Sequence, residues 1–381
     1  MTTRKVGSML AITALLGSAL AAFASSSSAS TTSSATALTS CPTSSSTGPG
    51  GGGPPGGGAP SITMAKTIAP SDTRTSTVID GGGPQMQCGQ TELTSHNDVV
   101  YDTPTSGGKT VSLKMDIQVP KTSGDKPLVV YITGGGFVSD DKSGNLDQRT
   151  YVAEQGYVVA SIEYRTVTNG ATYKDSVADV KSAIRYLRAH AATYGIDPSK
   201  VAVWGQSAGG YLAAMTGVTN GLKQFEDGSN PGQSSTVQAV VDEFGPSDIS
   251  KVAADFDPAA KQANYAAGNS LAKFVFGPNT TLSVKDDPAA MARANPLTYA
   301  RKSSPPFVLL HGSADQLVSP SQTLILQKAL RAKGVESTRY VVQGANHGDV
   351  TFLGGAATSA KQWSSKQVMD DIVSFLGNKL Y

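Results

Sequence analysis

The stretch Val201-Ala202-Val203-Trp204-Gly205-Gln206-Ser207-Ala208-Gly209-Gly210 decides the fold, because it changes from strand-like to helix-like sequence around one serine. Its first four residues are apolar and two of them are β-branched, as in a buried strand, and the Tyr-Leu-Ala-Ala-Met that follows favours a helix. A strand that passes directly into a helix needs a tight turn, and Gly205 and Gly209 have no side chains to obstruct it. The pattern predicts that the turn presents the Ser207 hydroxyl as a nucleophile.

Two later segments supply the groups that a nucleophilic serine needs. Asp315 and His347 each follow an apolar run by a few residues. A serine hydroxyl must lose its proton as it attacks, and an imidazole with a pKa near ~6.5 can accept that proton. A carboxylate on the other ring nitrogen selects the required tautomer. We therefore predict Ser207 as nucleophile, His347 as base and Asp315 as acid, with Asp349 as the competing acid.

A run of glycines, Gly134-Gly135-Gly136, follows the strand-like residues 128–133. Glycines leave backbone N–H groups uncovered, and such groups can stabilise the negative oxygen of a tetrahedral intermediate. We predict that the N–H groups of Gly135, Gly136 and Ala208 form an oxyanion hole.

Several blocks of the chain, taken in order, resemble bacterial α/β-hydrolases related to feruloyl esterases and to hormone-sensitive-lipase-type carboxylesterases. The resemblance covers roughly the last three quarters of the chain. The matching blocks are residues 134–137, 156–165, 194–210, 244–248 and 305–347. The resemblance implies an α/β-hydrolase fold and ester hydrolysis. Thr133 departs from the family pattern, which commonly has a histidine there that braces the glycine loop.

Apolar, β-branched runs separated by helical segments predict a doubly wound, mostly parallel α/β sheet with helices on both faces. The runs are residues 128–132, 157–162, 201–204, 237–241 and 307–310. Ligands of such sheets bind beyond the carboxyl ends of the strands, which is where Ser207, Asp315 and His347 are expected. Residues 221–295 interrupt the alternation and predict a helical insertion near the site. Its aromatic residues either line a substrate pocket or pack on the core; they are Phe225, Phe256, Tyr265, Phe274 and Phe276.

The N-terminal part of the chain is predicted to lie outside the catalytic domain. A basic start and a short apolar run predict a signal peptide at residues 1–24. Residues 25–95 are predicted to form a low-complexity tether, of which residues 25–60 are rich in Ser and Thr and then in Gly and Pro, a composition that buries little apolar surface. Residues 61–93 are left open, because Val78-Ile79-Asp80 and Gln85-Met86-Gln87-Cys88 can pack against the domain. The catalytic domain is placed at residues 96–381. A signal peptide implies a secreted or periplasmic protein.

The chain contains two cysteines, Cys41 and Cys88, and neither lies in the predicted catalytic domain. In an exported protein they can form a disulfide that closes the Gly/Pro-rich loop. Alternatively, Leu38-Thr39-Ser40-Cys41 resembles a lipoprotein-processing site, which would make Cys41 a lipid anchor.

Charge and residue spacing argue against several partner classes. The formal net charge is +2, and no Lys/Arg cluster predicts a nucleic-acid partner. We expect no membrane span, because the N-terminal apolar run is too short. No His/Cys spacing predicts a metal site, and we expect no cofactor. Of the remaining histidines, His96 is placed before the first strand, His190 late in a helix, and His311 as a structural partner of the acid loop.

The leading hypothesis is a secreted serine hydrolase that cleaves carboxylic esters, small or linked to polysaccharide, through an acyl-enzyme. A serine peptidase of the same fold and a non-catalytic binding protein built on a hydrolase fold are the alternatives. The presence of all three candidate catalytic residues favours an enzyme over the binding protein. Feruloyl, acetyl and short-chain acyl groups all stay open, because acyl pockets are formed by residues far apart in sequence.

Overall fold

A computed structural model of the chain describes residues 38–43, 63–349 and 361–381. The predicted signal peptide and most of the Ser/Thr-rich and Gly/Pro-rich tether lie outside the described residues. Within the described ranges, no helix has the length and apolar character needed to cross a membrane.

The described strands and helices alternate along most of the chain. The strands are β1 Thr39–Ser40, β2 Thr77–Asp80, β3 Gln87–Cys88, β4 Leu93–Asp102, β5 Thr105–Ser106, β6 Lys109–Thr110, β7 Leu113–Pro120, β8 Lys126–Ile132, β9 Val158–Ile162, β10 Ile196–Gln206, β11 Ala239–Glu243, β12 Phe307–Gly312 and β13 Ser337–Gln343. The helices are α1 Leu146–Glu154, α2 Tyr173–Ala189, α3 Ala191–Tyr194, α4 Ala208–Val218, α5 Pro258–Asn264, α6 Ser270–Phe276, α7 Pro288–Ala294, α8 Ser321–Ala332 and α9 Lys366–Leu380.

Nine strands form one sheet in the order β2-β13-β12-β11-β10-β8-β9-β7-β4. Every neighbouring pair from β2 to β9 in that order is parallel, and β7 is antiparallel to both of its neighbours. The predicted mostly parallel sheet is therefore confirmed. The five predicted apolar runs fall in β8, β9, β10, β11 and β12.

The two faces of the sheet carry separate hydrophobic cores, because successive side chains of a strand point to opposite faces. In β8, Leu128 and Val130 belong to one core, together with Val177 of α2. Val129 of the same strand belongs to the other core, together with Ile372 of α9. Helices therefore cover both faces, as the doubly wound prediction requires.

The domain boundary predicted near residue 95 is wrong for the described residues 63–95. β2 is the parallel edge strand beside β13, and β4 begins at Leu93. His96 lies within β4, not before the first strand. The stretch Val78-Ile79-Asp80, which the sequence left open, packs on the domain as this edge strand with only Ile79 buried.

Cys41 and Cys88 are joined in a disulfide, and both are buried. The bond ties β1 to β3, which pair as antiparallel strands. A sulfur bonded in a disulfide is not available for a thioether to lipid, so the structure agrees with the disulfide interpretation and not with lipidation of Cys41.

The insertion at residues 221–295 contributes α5, α6 and α7. Phe225, Phe256 and Phe274 are buried, and the Phe274 ring stacks on Phe137 with centroids 3.9 Å apart. Phe225 and Phe274 therefore pack on the main core, and Phe256 packs in a smaller separate cluster with Ala65 and Val318. Tyr265 and Phe276 are partly buried against the main core.

Candidate active site

Ser207 occupies the tight turn between β10 and α4. Its φ of 56° and ψ of −118° lie in a region that non-glycine residues rarely adopt. A Cβ on Gly205 would lie 2.2 Å from the Gly209 carbonyl oxygen, and a Cβ on Gly209 would lie 1.9 Å from the Ile132 carbonyl oxygen. Only glycine fits at these two positions, which agrees with the turn predicted from the sequence.

The three predicted catalytic side chains form one hydrogen-bonded chain. The Ser207 Oγ lies 2.7 Å from His347 Nε2, and His347 Nδ1 lies 2.7 Å from Asp315 Oδ2. Asp315 is fully buried and His347 nearly so, while Ser207 is half-buried. Asp349 instead accepts hydrogen bonds from the backbone N–H groups of Trp363 and Ser364, so the structure does not bring it to the imidazole.

The Asp315 carboxylate is held by donors on both oxygens. Its Oδ1 accepts hydrogen bonds from the backbone N–H groups of Leu317 and Val318, each at 2.9 Å. Burial by itself would raise the pKa of Asp315, but the charge of a protonated His347 and hydrogen bonds from His311 and His347 outweigh it and hold the pKa well below its usual range. Asp315 is therefore an ionised acceptor at neutral pH.

The glycine loop after β8 packs directly against the nucleophile, since a Cβ on Gly134 would lie 3.1 Å from the Cβ of Ser207. Among the described residues, the N–H groups of Gly135, Gly136 and Ala208 have no hydrogen-bond partner. Ala208 is the first residue of α4, where N–H groups have no intrahelical acceptor. The part of the chain that the structure describes therefore provides no acceptor for the three N–H groups predicted as oxyanion donors.

Tyr164 braces this loop from below, a role that sequence analysis missed. Its buried hydroxyl donates to the Thr133 carbonyl oxygen at 3.0 Å. Thr133 stands at the position where the family pattern has the histidine that braces the loop. A second brace is internal, because the backbone N–H groups of Val138 and Ser139 both donate to the Gly135 carbonyl oxygen. Tyr164 belongs to one of the blocks that resemble the family, which was the available signal.

Sequence analysis also missed Glu243, which lies beneath the nucleophile turn at the end of β11. Its Oε2 accepts hydrogen bonds from Trp204 Nε1 at 2.6 Å and Gln206 Nε2 at 2.9 Å. Its backbone carbonyl accepts from the N–H of Ser207. Burial raises the pKa of Glu243 to about 7. An acidic residue at the end of a fully buried strand was the signal for it.

The loops that carry the acid and the base are tied together by two amides. The Asn346 Oδ1 accepts from the N–H of Gln316, and its Nδ2 donates to Gln316 Oε1 at 2.7 Å. Gln316 in turn holds the N-terminal segment, since its Nε2 donates to the Ala65 carbonyl oxygen and its own carbonyl accepts from the Ala65 N–H. Residues before 96 therefore contact the acid loop.

A parallel sheet that ends in a strained serine, an imidazole and a buried carboxylate defines an α/β-hydrolase. The model of the BD-FAE family matches residues 115–330, more than half of the chain, and the chain belongs to this family.

Individual relatives and solved structures are similar to the chain at modest identity. The probable carboxylic ester hydrolase LipM of Mycobacterium tuberculosis is 26% identical over 251 residues, which are 66% of this chain and 55% of LipM. The chain spans about half the length of the curated relatives it matches. A truncated carbohydrate esterase from gut microbiota is 25% identical, with a TM-score of 0.64 over 78% of this chain and 99% of that one. Butyrate-bound esterase 2 of Thermogutta terrifontis is 26% identical, with a TM-score of 0.55 over 76% and 94%.

Proposed function

We propose that this protein is a carboxylic ester hydrolase that works through an acyl-enzyme on Ser207. The continuous hydrogen-bonded chain from Ser207 through His347 to Asp315 carries the proposal. The Ser207 Oγ attacks the ester carbonyl carbon while its proton passes to His347 Nε2, and the N–H groups of Gly135, Gly136 and Ala208 receive the oxyanion. His347 then returns the proton to the departing alcohol oxygen. A water molecule, deprotonated by His347, releases the acid and restores Ser207.

Labelling with an organophosphonate tests this mechanism. One phosphonyl group should attach to Ser207, as located by peptide mass spectrometry. The rate of p-nitrophenyl acetate hydrolysis should fall in proportion to the fraction of protein that is labelled. Ser207→Ala should neither label nor turn over ester, because it removes the nucleophile and little packing. Ser234→Ala, at an exposed serine, is the matched control and should behave as wild type. Turnover by a folded Ser207→Ala protein would refute the proposal.

The substrate class that we favour is an ester carried on a carbohydrate. Support comes from the carbohydrate esterase of gut microbiota, because 99% of that esterase aligns with this chain. Acetylated xylan and methyl ferulate should be compared with p-nitrophenyl esters of increasing chain length. A higher kcat/KM on one of the first two substrates is expected, whereas efficient turnover of p-nitrophenyl esters alone would contradict this choice.

We also propose that the protein is exported, as its predicted signal peptide requires. The Cys41–Cys88 disulfide supports export, because such bonds persist in oxidising compartments. Mass spectrometry of the mature protein should find an N-terminus close to residue 25 and no free thiol. A retained Met1 with two reduced cysteines would argue against export.

A further inference from the structure

The Asp315 carboxylate contacts a second imidazole that the proposed mechanism does not use. His311 Nε2 lies 3.2 Å from Asp315 Oδ2, the same oxygen that binds His347. His311 is fully buried at the end of β12. The carboxylate accepts hydrogen bonds from two backbone N–H groups on Oδ1 and from His347 on Oδ2, and His311 Nε2 is the second nitrogen close to Oδ2.

The neighbours of His311 determine which of its nitrogens carries a proton. Its Nε2 is 3.0 Å from the Val318 carbonyl oxygen, which can only accept, so Nε2 must carry hydrogen. Its Nδ1 is 3.2 Å from the Thr323 Oγ1. That hydroxyl oxygen accepts from Arg339 Nε at 2.9 Å, so Arg339 holds the hydroxyl in place beside Nδ1. The His311 Nε2–H group, which donates to the Val318 carbonyl oxygen, therefore also lies beside Asp315 Oδ2, and Thr323 contacts the other nitrogen of the ring.

Arg339 is the donor at the far end of the hydrogen-bonded series that runs through Thr323 to His311, because a guanidinium can donate but cannot accept. It is buried in β13 and also donates to the Pro320 carbonyl oxygen and to the hydroxyls of Ser71 and Ser76. Burial lowers its pKa to about 10, against the opposing charges of Asp255 and Asp72, so it stays protonated at neutral pH.

We propose that His311 is a positioning residue for catalysis, which holds the Asp315 carboxylate in the orientation that His347 requires and is itself oriented by Thr323 and Arg339. The proposal rests on the proposed ester hydrolase function. Without His311, Oδ2 keeps only its hydrogen bond with His347 and loses the imidazole contact that restrains rotation of the carboxylate. It also becomes a stronger acceptor for His347, which favours the imidazolium form. The charged or titratable groups around this chain are Asp315, His347, Arg339 and, beyond Arg339, Asp255 and Asp72.

The test compares His311→Leu, which removes the donor, with His311→Gln, whose amide nitrogen can replace Nε2–H. We expect His311→Leu to lower kcat by about 10- to 100-fold with little change in KM, because the reacting groups are less well oriented. The acidic limb of its kcat/KM profile should move to higher pH, and the proton NMR signal of the His347 Nδ1–H should change. His311→Gln should recover most of kcat and the wild-type acidic limb.

Thr323→Val provides a second route if His311→Leu does not fold. It removes the hydroxyl that orients His311, nearly preserves volume, and should reproduce part of the fall in kcat. If folded His311 or Thr323 variants keep the wild-type kcat and acidic limb, His311 only packs the core and the proposal is overturned. Equal losses in His311→Leu and His311→Gln with an unmoved limb would overturn it as well. In either case, continued phosphonylation of Ser207 shows that the hydrolase function still stands.

Discussion

The strands that carry the site and the segment that precedes them differ in how far sequence reveals structure. Every residue of β8 is buried, whereas Ile79 alone is buried among the four residues of β2. A central parallel strand is covered on both faces, so its sequence is a continuous apolar run. An edge strand is held by backbone hydrogen bonds on one side, and these make few demands on side chains. An apolar sequence pattern therefore identifies the middle of a sheet better than its edge.

The N-terminal segment also contacts the loops around the site mainly through its backbone. Ala65 binds Gln316 through its own main-chain N–H and C=O, and Lys66 reaches Asp257 through its main-chain N–H. Any residue except proline could make the Lys66 contact.

The acid of the triad should show the largest effect. Asp315→Asn preserves shape but presents an amide to His347, and by analogy with other serine hydrolases kcat should fall roughly 10,000-fold. Asp349→Asn is the matched control in the next loop and should leave kcat near wild type, because Asp349 binds backbone N–H groups of Trp363 and Ser364. Steady-state kinetics on p-nitrophenyl acetate measures both. If the two variants exchanged phenotypes, Asp349 would be the acid.

The disulfide should affect stability and leave turnover unchanged. Cys41→Ser should lower the free energy of unfolding by roughly 3 to 4 kcal/mol, since the bond spans 47 residues. Cys88→Ser and the double variant should show the same loss, because all three remove one bond. Urea unfolding gives the stability, and kcat/KM on a small ester should match wild type. A collapse of kcat/KM in folded protein would mean that the N-terminal segment orders the site.

Glu243 should make unfolding depend on pH. Burial raises its pKa from 4.5 to about 7, so the folded protein binds a proton that the unfolded chain releases at lower pH. Stability from this group is present below about pH 4.5 and is lost as pH rises to about 7. Glu243→Gln should reduce the difference in unfolding free energy between pH 5 and pH 8 by roughly 1 to 3 kcal/mol. Asp242, whose pKa burial also raises to about 7, should preserve a residual dependence in that variant. An unaltered pH dependence would show that Glu243 is ionised throughout.

The link between Gln316, Asn346 and Ala65 should have the smallest effect. Gln316→Ala removes two side-chain hydrogen bonds, each worth roughly 0.5 to 1.5 kcal/mol, and should lower kcat by about 2- to 10-fold through a looser base loop. Lys66→Ala is the control, since Lys66 makes its hydrogen bond to Asp257 through the backbone. Equal kcat values for both variants would mean that this link does not support the site.

The sequence by itself determined the order of the central strands along the chain, the tight turn at Ser207 and the choice of Asp315 and His347. Each of these is written locally: apolar runs mark buried strands, paired glycines mark the turn, and polar residues follow strand ends. Because parallel strands end at one edge of the sheet, these local signals were enough to expect the three side chains together.

The tertiary structure alone decided the contacts between residues that are far apart in the chain. Tyr164 after β9, Glu243 in β11 and Arg339 in β13 contact the site because the sheet brings these strands together near it. The pairing of β2 with β13 and the contact of Ala65 with Gln316 depend on backbone hydrogen bonds. Such bonds do not require particular side chains, so the sequence does not predict them. A sequence motif therefore identifies the reacting groups, and the order of the strands in the sheet determines which side chains surround them.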